Sequence, residues 1–365
     1  MPIHHDSLDP RSPRLRVEIN GTNVNSVMHA DITASGSCKT SKFELIVSVN
    51  DFSRPSSWLN TLSGRVSVEI FARLRPDGAE RSMFQGLADT ASLDPIQKVA
   101  RIQGRDYSAL LSNSAFQESF YNRTSGEIAA SIALRHGFDT NIASTSALVG
   151  SYQYNGYNKM LLNAHSQIVN EWELLKYLAR IEGFEALIQG KVLVFAPVSS
   201  LPSNNISLDP SMVGKINFHK NCSLYDQTNL TVKSWNSWLG QTSCYTNGTS
   251  SNSKLPDAVT IADNSAMEMA IIKPNLTDEN ARGMALRYMD TINRQMLTID
   301  VAMPGEIMMN PYDVLTLSTG AAEFDTEYVI RSIRRHFSAI AGFSQRVQGY
   351  SVGGAVATSE GTALQ

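Results

Sequence analysis

Several groups of residues in this chain have types and spacings that could do chemistry. Gly349-Tyr350-Ser351-Val352-Gly353 has the spacing of a nucleophile elbow, which exposes a serine on a strand-to-helix turn and needs a downstream acid and histidine. GAVATSEGT follows instead, with no helical pattern, and no histidine lies after Ser351. Gly183 to Lys191 has glycines and a lysine like a phosphate-binding loop, but the spacing is too long and Val192 stands where Ser or Thr is needed. Glu171, Glu173, Glu182 and Glu185 are the residue type that glycoside hydrolysis requires in convergent pairs. On one helix Glu171 and Glu173 point about 200° apart, and Glu182 and Glu185 flank its stop, so a solvated helix face is the reading preferred. The seven histidines show no metal-binding spacing, and His136 beside Gly137 suits a helix C-terminus. The sequence thus assigns no catalytic residue, no cofactor and no metal.

The elements that would position such groups are better defined. Ile168, Trp172, Leu175 and Ala179 recur at helical spacing, widened by Leu174, Leu178 and Ile181. This predicts one long amphipathic helix within 163–182, stopped by Gly183 in a left-handed cap. A β-hairpin follows, with Phe184, Ala186 and Ile188 alternating, a turn at Gln189-Gly190 and a return over Val192 to Phe195. Trp172 is read as a core anchor rather than a sugar platform. Thr124-Ser125-Gly126-Glu127 is a capping box ahead of Ile128, Ala129, Ile132 and Ala133, and Gly137 ends that helix. Asp106 is placed to cap a short helix through Leu111.

Residues 14–104 alternate apolar and polar over successive short strands, as in Phe43, Leu45, Val47 and Val49, which suggests a barrel or sandwich. Leu201 to Pro210 reads as a linker and Gly240 to Pro256 as a polar loop. Thr277 to Met296 is a helix with Ala281, Met284, Ala285, Tyr288 and Ile292 inward. Strands are expected at Leu297–Val301, Glu306–Met309, Val314–Ser318, Glu327–Phe337 and Gly342–Tyr350.

At 365 residues the chain is too long for one ordinary core. Its hydrophobic content of 42% is enough for well-packed cores. A net charge of −3 offers no broad basic field for nucleic acid. The one basic run, Arg331 to His336, would split between two faces of a strand, so a solvated face or a protein interface is favoured over a phosphate contact. Cys38, Cys222 and Cys244 are few and scattered, which fits a reducing compartment better than a disulfide framework. No secretory signal and no run long enough for a membrane span is read.

Four stretches, in this order, resemble the phage late control D proteins, the tail baseplate hubs, which are similar in fold to the hub of T4-like phages and the base of type VI secretion spikes. They are Phe84-Gln85-Gly86-Leu87 leading to IQGRDYSALL, EWELLKYLARIEGFEALIQGKVLVFAP, the helix TDENARGMALRYMDTINRQM with PGEIMMNPYDVLTL after it, and YVIRSIRRHFSAIAGFSQRVQGY. Pro311-Tyr312-Asp313 departs from the family's glycine pattern. Gly104, Arg105, Asp106, Trp172, Gly183 and Gly190 are the motif positions, all structural.

The resemblance implies a mainly β fold with an α+β insertion: two tube-like β-barrels plus a peripheral helix–hairpin domain. The boundaries are a flexible N-terminus at 1–13, a first barrel at 14–105 and an α+β domain at 106–200, LysM-like around the capped helix TSGEIAASIALRHGF. A second barrel follows at 201–240 and 296–352, interrupted by an insertion with loop and helix at 241–295, then a flexible tail at 353–365. It further implies a homotrimeric, pseudo-sixfold ring in the virion tail baseplate, made in the host cytoplasm, joining tube to spike and forming part of the DNA channel. Its partners would be the tail tube or tube initiator protein, the spike, the baseplate wedge proteins and the tape measure protein, with no specific nucleic-acid binding. The competing readings are a cell-wall glycan-binding module or hydrolase, and a tube-like tail subunit.

Overall fold

Strict alternation builds the first third of the chain. β1 (Arg14–Ile19), β2 (Thr22–Val24), β3 (Val27–Ser35), β4 (Lys42–Ser48), β5 (Ser67–Arg73), β6 (Arg81–Asp94) and β7 (Val99–Asp106) pair antiparallel in the order β3-β4-β7-β6-β5-β1-β2. Phe43, Leu45, Val47, Val68 and Ile70 bury every second position and meet Val17, Ile32, Phe84 and Ile102 in one core. The computed structural model describes residues 12–24, 26–49, 64–76, 78–115, 119–146, 148–149, 159–161, 169–221, 228–236, 241–246, 249–253, 267–272, 278–320 and 324–351. The N-terminus through residue 11, the tail at 353–365, Ile168, Cys222 and the end of the Gly349–Gly353 motif lie outside the described residues.

After β7 come α1 (Ser108–Asn113), β8 (Ser119–Tyr121), α2 (Ser125–His136), β9 (Asp139–Ile142), β10 (Lys159–Leu161), α3 (Glu171–Glu182), β11 (Glu185–Gln189) and β12 (Val192–Ala196). The capping box forms at α2: the Thr124 hydroxyl accepts the Glu127 amide and the Glu127 carboxylate accepts the Thr124 amide at 3.0 Å. Gly137 ends the helix at φ +70°. The α3 helix starts at Glu171, later than the apolar stripe predicts, because the Asn170 side chain accepts the Glu173 amide at 2.9 Å and fixes the first turn there. Ile128, Ile132, Trp172, Leu175, Leu178 and Phe195 fill the core between the two helices and the hairpin β11–β12.

That hairpin is buried on both faces. Ala186, Ile188, Leu193 and Phe195 face the helices, whereas Leu187, Val194 and Ala196 pack against Tyr312, Val329 and Tyr350. The helix–hairpin unit is therefore seated on the second β region through the hairpin's other side.

The second β region comprises β13 (Asn205–Leu208), β14 (Lys215–Lys220), then β15 (Thr228–Asn236), β16 (Gln241–Thr246), β17 (Thr249–Ser253), β18 (Met267–Ile272), α4 (Asp278–Met296), β19 (Leu297–Pro304), β20 (Val314–Leu317), β21 (Glu327–Ser338) and β22 (Gly342–Ser351). β14-β19-β22-β21 pair in that order, with β20 beside the first half of β21 and β13 parallel to β20. Ile206, Val301, Leu315, Tyr328, Ile333 and Val347 form its core. The second half of β21, Ser332 to Ser338, pairs with Ser35 to His29 of β3. The two β regions are thus one hydrogen-bonded sheet of 13 strands. Among the described residues no helix is long and apolar enough to cross a membrane.

Several expectations are corrected. The presumed linker Leu201–Pro210 contains β13, whose Ile206 and Leu208 alternate into the second core. The strand β15, expected in the second barrel, pairs instead with β16 and β18 in a separate four-stranded sheet covered by Ala281 and Ala285 of α4. The polar stretch from Gly240 contains the hairpin β16–β17, which serine and threonine hide from an apolar-alternation reading. Glu306–Met309 is no strand, because the Glu306 and Met309 carbonyls turn onto the guanidinium of buried Arg335. Tyr312 holds the unusual φ of +75°. Burial against the hairpin and a 2.7 Å hydrogen bond from the Ser37 amide to its hydroxyl keep it there. Gly36 is required opposite, since a Cβ would lie 2.8 Å from the Tyr312 ring.

Trp172 is 5% exposed and central to the helix–hairpin core. Trp172→Ala should lower stability by about 3–5 kcal/mol in urea or guanidinium unfolding, the usual scale for a buried large aromatic. An unfolding midpoint equal to wild type would contradict this packing.

Candidate functional site

The face of the sheet turned away from both β cores is polar, and the strand register makes it continuous across the seam. His336 lies opposite Asp31, Asp31 opposite Glu44, and Glu44 opposite Gln103. On the other side Arg334 lies opposite Arg346, and Asp300 opposite Gln348. Of these, Asp31, Glu44, Gln103, Arg334, Arg346 and Gln348 line an open groove of about 760 Å³ that runs over the seam between β21 and β3.

Charge in the groove is balanced locally. Its lining holds Lys42, Arg105, Arg334 and Arg346 against Asp31, Glu44 and Asp89, with Asp300 beneath Arg346. Arg105 grips Asp89 with two bonds of 2.7 and 2.9 Å. Arg346 pairs with Asp300, its Nε 2.6 Å from Oδ1. Arg101 lies 3.2 Å from Glu44, and Arg334 lies 3.6 Å from Asp31. The Arg346 hydrogen bond holds the Asp300 carboxyl below its ordinary value. Burial pushes Asp31 upward, but hydrogen bonds from His336 and His29 and the charge of Arg334 outweigh it and bring the carboxyl below its ordinary value.

The basic run Arg331 to His336 divides as a strand should. Arg334 lines the groove, His336 stands on the same face of the strand, Arg331 sits at a bulge, and Arg335 is buried. Burial lowers the Arg335 guanidinium to about 10, against the opposing charges of Glu306 and Asp313.

The motif positions fall in two places. Gly104, Arg105 and Asp106 end β7 at the rim of the groove. A Cβ on Gly104 would lie 2.0 Å from the Leu87 carbonyl oxygen, so β7 and β6 approach only with glycine there. The buried Asp106 carboxylate accepts the Ser41 amide at 2.7 Å and the Ser108 amide at 3.0 Å, tying the start of α1 to the β3–β4 turn. Desolvation raises its pKa. Trp172, Gly183 and Gly190 belong to the helix–hairpin unit. Gly183 caps α3 at φ +72°, where a Cβ would meet Arg287 of α4, and Gly190 turns the hairpin against Gln85 of β6. The two groups do not converge on one site.

The four glutamates do not converge either. Glu171 is 1% exposed and bonded to Arg135 and His136, which corrects the expectation of a solvated helix face. Glu173 accepts the Val169 amide, Glu182 accepts the Ser125 hydroxyl, and buried Glu185 faces Arg294 and Cys38. Cys38 borders a second cavity of about 420 Å³ between α3, α4 and β22, ringed by Lys39, Lys176, Arg180, Arg294 and Arg331. Burial, reinforced by the Glu185 charge, pushes its thiol up to about 12, so it stays protonated at neutral pH.

One constellation has no sequence signal. His29, Asp31 and His336 come together although 305 positions separate Asp31 from His336. Only the β21–β3 register makes them neighbours.

No protein-family model matches the sequence, and no curated protein is similar to it. Solved structures do match the fold. A tail protein from Neisseria meningitidis aligns with 94% of this chain and 98% of its own, at 14% identity and a TM-score of 0.65. The 43 kDa tail protein of prophage MuSo2 from Shewanella oneidensis aligns with 93% of this chain and 98% of its own, at 15% identity and a TM-score of 0.68. An Escherichia coli type VI secretion component, described as similar to T4 phage tail proteins, aligns with 92% of this chain and 77% of its own, at 12% identity and a TM-score of 0.59. The fold of this chain is that of phage tail and type VI secretion proteins.

Asp31 and Asp300 are both held below the ordinary 3.8 by partners assembled only on folding. Their stabilisation is fully present above about pH 4–5 and is lost as pH falls through the folded values. Urea unfolding between about pH 2.5 and 6 should show stability declining on the acid side, and Asp300→Asn should make that decline shallower. An acid limb unchanged in the variant would show that the Arg346 pair exists equally in the unfolded chain.

Proposed function

We propose that this chain is a structural baseplate hub protein of a phage tail. Three copies form a pseudo-sixfold ring in the virion baseplate that joins the tail tube to the spike. The observation that carries the proposal is the continuous polar face shared by two β regions of one chain. A tube-like subunit needs one such region, whereas three chains with two each supply six positions. Heterologous contacts between unlike regions of neighbouring copies close such a ring at three. The shared fold with tail and type VI proteins agrees with this reading. On this reading its partners are the tube, spike, wedge and tape measure proteins.

In this ring the polar groove faces the channel. DNA must pass without being held, because each unpaired cation aimed at phosphate adds affinity that depends on salt. Arg105, Arg346, Arg101 and Arg334 each meet an acid on the same face. The lumen is thus polar and wet but nearly neutral. The role is structural: no step of chemistry is assigned to the chain, and the helix–hairpin unit stands outside the ring.

Two measurements test the proposal. Light scattering at high protein concentration, or with tail partners present, should give threefold mass. A twofold or monomeric species inside an assembled particle would overturn the ring. The protein should also fail to bind duplex DNA at physiological salt, whereas Asp89→Asn with Asp300→Asn should create weak binding that disappears as salt rises. Tight DNA binding by the wild type, lost in Arg334→Ala, would overturn the passive channel.

A further inference from the structure

The seam between β3 and β21 carries a second feature that the channel reading does not use. His29 and Asp31 are two positions apart on β3 and so share one face, and His336 stands directly across from Asp31 on β21. His336 Nδ1 lies 3.0 Å from Asp31 Oδ1, and His29 Nε2 lies 3.1 Å from Asp31 Oδ2. The imidazole rings meet edge to face with centroids 4.5 Å apart, and one donor atom from each residue falls within 4.8 Å of the other two.

We propose that His29, Asp31 and His336 form a binding site for one divalent transition metal ion of the zinc type, which fastens the first β region to the second. Ligand atoms about 2.0–2.2 Å from one ion lie about 3.0–3.5 Å apart, so the three donors need only small shifts to share one. Two imidazoles and one carboxylate suit zinc or its first-row neighbours. Calcium and magnesium prefer all-oxygen shells. The His336 side chain is 41% exposed, which leaves an approach for the ion and room for water to complete its shell.

Arg334 is the competing group. It lies 3.6 Å from Asp31, but its side chain is 66% exposed and can swing into solvent when a cation arrives. Glu44, opposite Asp31 in register, is engaged by Arg101. This arrangement gives the site its distinguishing signature: removing a carboxylate or imidazole should weaken binding, whereas removing Arg334 should strengthen it.

The test uses the full-length, untagged chain, stripped of metal with a chelator and titrated with Zn²⁺ by calorimetry. Saturable binding of one ion per chain is expected, with Ca²⁺ and Mg²⁺ giving no signal. Bound Co²⁺ should show visible ligand-field bands. Asp31→Asn and His336→Gln should each weaken Zn²⁺ binding by about 100-fold or more, while Arg334→Gln should tighten it. Zn²⁺ should raise the melting temperature of the wild type but not of His336→Gln, a half-buried position whose replacement keeps a polar side chain and should still fold. Binding that survives both ligand substitutions belongs to other residues, such as His4 and His5, and overturns the proposal. Absence of saturable binding, or weaker binding in Arg334→Gln, overturns it as well. None of these readouts depends on ring formation, so the metal site and the hub reading can fail separately.

Discussion

The strand β21 changes partner partway along its length, and most of the architecture depends on that change. Its first half completes the second β region beside β20, and its second half completes the first beside β3. The switch occurs at a bulge between Ile330 and Ser332. There the Arg331 carbonyl leaves the ladder and accepts the Gly36 amide at 2.9 Å. A bulge inserts one residue and increases local twist, which is how one strand can serve two β regions of one sheet that wrap different cores. Ile333 accordingly faces the second core, and Phe337 packs against the first.

Two less common features stand beside this switch. Tyr312, at positive φ, packs under Gly36 and accepts the Ser37 amide, so the turn before β20 is locked to the end of β3. Arg335 is buried between the two cores and donates to the Glu306 and Met309 carbonyls. A buried guanidinium is costly unless its donors are used, so the loop at 306–309 is shaped around it. These contacts hold the junction at one geometry.

Fixing the junction also fixes the face opposite the cores. Because side chains alternate, one register places His336 beside Asp31 and Arg334 beside Thr33, and the polar surface continues without interruption from one β region to the other. Ion pairs across that face neutralise its arginines one by one. The helix–hairpin unit is coupled to the same assembly, since its hairpin buries one side against the helices and the other against Tyr312 and Tyr350.

Local patterning made much of this legible in the sequence. The alternation of Phe43, Leu45 and Val47, the Thr124–Glu127 capping box, the apolar stripe around Trp172 and the αL glycines at 137 and 183 each act within a few residues, so each could be read directly. Helical spacing also separated Glu171 from Glu173, which meet different partners in the fold. The strands β16 and β17 were not legible, because their serines and threonines carry no apolar signal and their identity comes from pairing with β15. Nor was β13, whose short alternation was masked by the polar, proline-containing stretch around it. The burial of Glu171 depended on Arg135 and His136 arriving from another helix. The single sheet, the polar groove and the His29–Asp31–His336 cluster were decided only by the tertiary fold. Each requires β21 to find β3 across some three hundred residues, and that register is set by two cores packing at once, which no local pattern encodes.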